Sequence, residues 1–147
     1  MRPRVLGAAI ALVVVCAPLR AADPLSAVVD SYLQIHQRLA ADETEGVSAA
    51  AGEIAKQAES MGDAGAPIVA AARKVQESAD LKSAREAFGA LSDSVIEAAR
   101  ARRWENLQDV KVAFCSMANK SWLQKGDVIQ NPYYGSQMLT CGQFQEK

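Results

Sequence analysis

Cys115, Met117, Met138 and Cys141 place four sulfur atoms in one short tract. Cys-Ser-Met stands at one end and Met-Leu-Thr-Cys at the other, with Asn131-Pro-Tyr-Tyr-Gly135 between them. Thiolates and thioethers are soft donors that select Cu(I) or similar ions, whereas Mg²⁺ or Ca²⁺ would want carboxylate oxygens. The thioether needs no deprotonation to bind and withstands oxidising conditions better than a thiol. Residues two apart on a strand share a face, so Cys115 and Met117 can aim at one point. Met138 and Cys141 are three apart and converge only where the chain leaves ideal strand geometry, as in a single turn. His36, the one histidine, lies on the apolar side of the first helical stripe and adds an optional imidazole. The candidate metal ligands are therefore Cys115, Met117, Met138, Cys141 and His36.

The same cysteines support a second reading. Two cysteines in an exported chain commonly pair, and closing a loop of this length stabilises a fold by about 3 to 4 kcal/mol in the chain-entropy model. Bridge and metal site both stand at this point. Catalysis finds less support. No Gly-rich phosphate loop, HExxH or serine nucleophile elbow is present, and no carboxylate pair can be nominated. A reactive-cysteine enzyme lacks an identifiable orienting Asn or Asp beside the histidine. The expectation is a protein that is not an enzyme and carries no catalytic residues.

Export is read from the start of the chain. Met1-Arg-Pro-Arg4 is basic, Val5 to Ala17 is almost wholly apolar, and Leu19-Arg-Ala-Ala22 offers small residues for cleavage, so residues 1–22 form a signal peptide. The apolar run is too short for a comfortable membrane span and no second one follows, so no span is expected after cleavage. Cys16 is preceded by Val15, which argues against a lipid anchor there. Loss of Arg2, Arg4 and Arg20 from the 16 basic residues leaves 13 against 17 acidic, a net charge of −4. No basic patch remains to recruit nucleic acid.

The elements that must position the sulfurs have two textures. Residues 23–103 are alanine-rich and helical in period. Of the eight aromatic residues only Tyr32 and Phe88 lie there, and the other six crowd into 104–147. Pro24 is preset for a first helical turn, with Asp23 as its cap. Leu25, Val28, Val29, Tyr32, Leu33, His36 and Leu39 form one stripe. Asp42 and Thr44 mark a break and a new cap, before a second stripe of Val47, Ala51, Ile54, Ala58 and Met61. Gly62-Asp-Ala-Gly65 interrupts. Ile68, Val69, Ala72 and Val75 define a third helix. Asp80 caps a fourth, with Leu81, Ala84, Phe88, Leu91, Val95 and Ala99 inward. The fold class expected is mainly α: an antiparallel four-helix bundle, with residues 104–147 forming a short C-terminal β-hairpin packed on it as one domain. The hairpin pairs the alternating segment Val110–Cys115 with the tail around Gln137–Phe144, folded back by the Asn-Pro turn.

The tract FCSMANKSWLQKGDVIQNPYYGSQMLTCG, with SYLQIHQRLAAD and SAREAFGALSDSVIEAAR upstream, resembles a small uncharacterised periplasmic domain family. That domain stands alone or at the C-terminus of CusB-type membrane-fusion proteins of copper and silver efflux. The resemblance covers most of the mature chain. It implies a periplasmic protein of heavy-metal handling, with Cu(I), or Ag(I), as the ion and an efflux membrane-fusion protein as a partner. It also carries Cys115, Met117, Met138 and Cys141 over as the site. The family form is Cys-Pro-Met, and Ser116 here replaces the proline, which loosens the backbone between the first two sulfurs. A disulfide-stapled interaction domain without metal is the alternative function.

Overall fold

The computed structural model describes residues 23–147; the expected signal peptide, residues 1–22, and Cys16 lie outside the described residues. Helix α1 (Pro24–Ala40) opens on its proline, as the fixed backbone angle of that residue favours. Asp23 precedes it but makes no capping bond from its side chain. Its carboxylate instead pairs with Arg102 at 2.7 Å, joining the start of the described chain to the end of the fourth helix.

Helix α2 (Val47–Glu59) begins after Gly46 in a left-handed conformation, not through a Thr44 side chain. Residues 62–65 form a 3-10 turn where the glycines interrupt the pattern, and α3 (Ala66–Gln76) follows with a proline in its first turn. Helix α4 (Leu81–Ala101) has the expected cap: Asp80 accepts from the Ser83 N–H and Ser83 bonds back to the Asp80 N–H. The α1 stripe is buried throughout, His36 included, and most of the other stripe positions are buried too. Each helix packs on its sequence neighbour, and α4 returns to α1. The molecule is thus mainly helical, with a small antiparallel sheet at its C-terminal end.

That sheet corrects the expected hairpin. It has three strands, β1 (Lys111–Cys115), β2 (Lys120–Gln124) and β3 (Gln143–Gln145), in the order β2-β1-β3. The hairpin is β1–β2, closed at Cys115↔Lys120 by a turn with Asn119 at φ 50°. The tail does return to β1, but on its other edge, with Phe114 opposite Gln143. Sequence period misses β2 because Trp122, Leu123 and Gln124 are buried in succession, so the strand has no polar face to alternate with.

One continuous apolar core runs from the helices into the sheet. Tyr32 stacks on Phe88 with ring centroids 4.8 Å apart, and Trp122 meets Tyr133 edge-on at 6.0 Å. The polar ends of these rings are satisfied inside. Tyr32 Oη and Ser92 Oγ share a 2.6 Å hydrogen bond, and the Leu123 N–H of β2 donates to Tyr32 Oη. Tyr133 Oη donates to the Ser121 carbonyl at 2.7 Å. Burial supplies the drive, and these bonds fix where the sheet sits on the helices.

Candidate functional site

Strand β1 delivers Cys115, fully buried, to the edge of the turn that closes the hairpin. Cys141 reaches it from the irregular segment between a short 3-10 turn at residues 135–137 and β3. The Cys141 N–H donates to the Met138 carbonyl at 3.0 Å, so Met138 and Cys141 are indeed bridged by a single turn. The two Sγ atoms lie 2.9 Å apart. That is inside the contact distance of two unbonded sulfurs and wider than the about 2.05 Å of a disulfide bond.

The pair is electrostatically unequal. Burial pushes the Cys115 thiol up, but a hydrogen bond from Cys141, the N–H groups of Ala118 and Met117, and the Asn131 side chain outweigh it and hold it below the ordinary cysteine value. Cys141 is shifted the other way, chiefly by its hydrogen bond to Cys115 and then by burial. Of the two, Cys115 is the sulfur whose surroundings favour ionisation, and Cys141 the one whose surroundings oppose it.

Asn131 builds the cradle and has no solvent exposure. Its Nδ2 donates to the Cys141 carbonyl at 2.8 Å, and its Oδ1 accepts from the N–H groups of Tyr133 and Tyr134. Its own N–H donates to the Leu139 carbonyl at 2.7 Å. The turn is locked from the helical side by Arg85, which donates to the carbonyls of Pro132 and Leu39 and to Asp42 Oδ1. Asp42 Oδ2 accepts from the Ser136 N–H at 3.0 Å. Gly135 sits against this pair at φ 54°, where a Cβ would overlap the Asp42 carboxylate. The sequence marks the turn by its proline and glycine, but no local signal reveals that Asn131, Asp42 and Arg85 are its fasteners.

The remaining expected ligands are distributed differently. Met117 follows Cys115 by two residues but lies in the turn, 64% exposed. Met138 is 36% exposed beside the 3-10 turn. A cavity of about 210 Å³ opens beside Cys141, walled by Phe114, Ser116, Gly142 and Gln143. His36 is buried, and its Nε2 lies 2.8 Å from the Gln130 carbonyl, so that nitrogen is the donor. Burial lowers its pKa from the ordinary value and keeps the ring neutral. Among the described residues no three His, Cys, Asp or Glu side chains group as a metal site, so His36 does not complete a set with the two cysteines. What the structure brings together is the thiol pair. A soft ion there would find two thiols, with thioethers on the two adjoining turns as further donors.

The family described as "Protein of unknown function (DUF3347)" matches residues 28–106, which is the helical part and the start of the segment leading to β1. No curated protein and no solved structure matches the chain.

Proposed function

The chain belongs to the DUF3347 family, whose function is unknown, and from that premise we propose that it is an exported heavy-metal-handling protein. Its cargo in this reading is Cu(I), with Ag(I) as the softer analogue. The helices act as an antiparallel four-helix bundle that carries a sulfur site for a periplasmic chaperone, buffer or efflux accessory. The observation that supports it is the Cys115–Cys141 pair, 2.9 Å apart, with one member biased toward thiolate. Two thiolates suffice for a soft monovalent ion, and hard cations would need carboxylate oxygens, which do not gather into such a group among the described residues. A metal–sulfur bond is itself about 2.3 Å, so loading requires the sulfurs to part by an ångström or more. Cys115 is fixed on β1, and Cys141, on the irregular segment, is the one to move. Met117 and Met138, exposed on either side, would serve as exchangeable donors that release an ion without taking up a proton.

Competition with a coloured Cu(I) chelator under reducing conditions tests this. Wild type should withdraw about one ion per chain, Cys115→Ser should lose that capacity, and Met138→Leu should retain it with weaker affinity. A wild-type chain that cannot compete overturns the reading.

The short Sγ–Sγ separation also favours a second reading, a disulfide-stapled interaction domain of an efflux system that binds no metal. Protein purified without reductant would then show no titratable thiol, and reduced protein would still fail to hold Cu(I).

A further inference from the structure

A second site lies apart from the sulfur pair. An open groove of about 510 Å³ runs between the first half of α4 and the aromatic turn, with the β1–β2 turn closing one end. Its apolar surface comes from Leu81, Ala118 and the rings of Tyr133 and Tyr134. Three cations and one acid also line it: Lys82, Arg85, Lys120 and Glu86. Arg85 commits its Nε and Nη2 to the Pro132 and Leu39 carbonyls and to Asp42, whose carboxylate already balances its charge. The two lysines are different. Among the described residues neither Lys82 nor Lys120 forms an ion pair.

Lys120 is held in place by the fold. It is half-buried, with its Nζ 5.9 Å from the centre of the Tyr133 ring. Its stem crosses α4 at Gly89, where a Cβ would come within 3.0 Å of Lys120 Cε and closer still to Nζ. Glycine in a helix interior costs about 1 kcal/mol relative to alanine, and here the missing Cβ is what lets the lysine lie along the helix into the groove. A positioned, unpaired ammonium beside aromatic faces is a receptor for one anionic group on a flat apolar body. Glu86 opposes a second negative charge.

We infer that this groove binds a small organic monocarboxylate with an aromatic or similarly flat apolar body. Lys120 receives the carboxylate with help from Lys82, and Tyr134, Leu81 and Ala118 cover the body. The inference is independent of any role for the cysteines.

The test is an amide NMR titration of the full chain with 3-phenylpropionate, and in parallel with 3-phenylpropylamine. The acid should give saturable shifts at Leu81, Ala118, Lys120 and Tyr134, and the amine none. Lys120→Gln should weaken the acid about tenfold, the loss of one charge-assisted hydrogen bond. Gly89→Ala keeps the lysine and favours the helix, so it should fold normally and still weaken binding by displacing the ammonium. Equal shifts from acid and amine, absence of saturation, or undiminished affinity in a folded Lys120→Gln chain would each overturn the inference. So would shifts at these amides from a Glu-Phe-Glu peptide alone, which would assign the groove to a protein partner.

Discussion

The side-chain amide of Asn131 donates to the Cys141 carbonyl at 2.8 Å while its oxygen receives two N–H groups from the aromatic turn. One buried side chain thereby holds the turn and the returning tail in a single arrangement, and the position of Cys141 depends on it. Asn131→Leu leaves that carbonyl and both N–H groups without their partner. Unpaired buried polar groups cost about 1 to 3 kcal/mol each when water cannot reach them. The substitution should lower stability by about 2 to 4 kcal/mol in urea unfolding and slow oxidation of the thiol pair. A loss below about 1 kcal/mol would mean that the cradle is held elsewhere.

Oxidation of Cys115 and Cys141 should be readily accepted by this fold. The two residues lie 26 positions apart in the chain, a separation for which the chain-entropy estimate is about 3.5 kcal/mol. Diamide treatment should therefore remove both thiols, raise the urea midpoint and abolish Cu(I) competition, all reversed by reductant. In Cys141→Ser the same treatment should leave stability unchanged. A wild-type midpoint that does not rise on loss of the thiols would show that pairing distorts β1 or the turn.

Acid should act on the fold in two separate windows. His36 has a folded pKa below its ordinary 6.5 because burial disfavours the cation. The unfolded chain thus takes up that proton first, and stability declines as pH falls below 6.5. His36→Gln should flatten this limb. Asp42 is held down to about 2 by the Ser136 hydroxyl, the Arg85 guanidinium and the Ser136 N–H. Its contribution is complete above the ordinary carboxylate value of 3.8 and is lost as pH falls toward 2. Asp42→Asn should shrink that lower limb, which Asp80, Asp109 and Asp127 share because they too are held below the ordinary value, and leave the upper one. Urea midpoints measured from neutral pH down to about pH 2 distinguish the two. A single decline unaffected by either substitution would contradict the assignment.

The helices were legible in the sequence because each buries one stripe of a 3.6-residue period and because Asp80 and Pro24 carry local start signals. Thr44 is not the cap its residue type suggests, since the break is made by Gly46, whose left-handed backbone needs no side chain. Strand β2 was invisible for the opposite reason to the helices: with Trp122, Leu123 and Gln124 all covered, nothing alternates. The meeting of Cys115 and Cys141 was legible from the turn between them, and the single turn at Met138 from the three-residue spacing. The roles of Asn131 and Arg85 were not, because a buried amide or guanidinium acquires meaning only from partners 10 to 47 residues away in the chain. His36 shows the same limit. Its stripe predicts burial, but the Gln130 carbonyl that accepts a hydrogen bond from its Nε2–H lies 94 positions downstream.

The join between helices and sheet rests on Ser92 of α4, which is buried and meets two tyrosine hydroxyls. Tyr32 Oη lies 2.6 Å from Ser92 Oγ, and Tyr133 Oη lies 3.2 Å from it. Tyr32 Oη also accepts the Leu123 N–H, and Tyr133 Oη donates to the Ser121 carbonyl, so each hydroxyl ties a different residue of the β2 strand to α4. Tyr32→Phe and Tyr133→Phe keep the rings, the stacking on Phe88 and the contact with Trp122. They remove only the polar ends and should each cost about 1 to 3 kcal/mol. The shared Ser92 makes the two losses interdependent, because a hydroxyl that has lost one partner can turn fully toward the other. The double variant should therefore depart from the sum of the singles by about 0.5 kcal/mol or more. Additive losses would show that the two tyrosines fasten the sheet separately and that Ser92 is only a space between them.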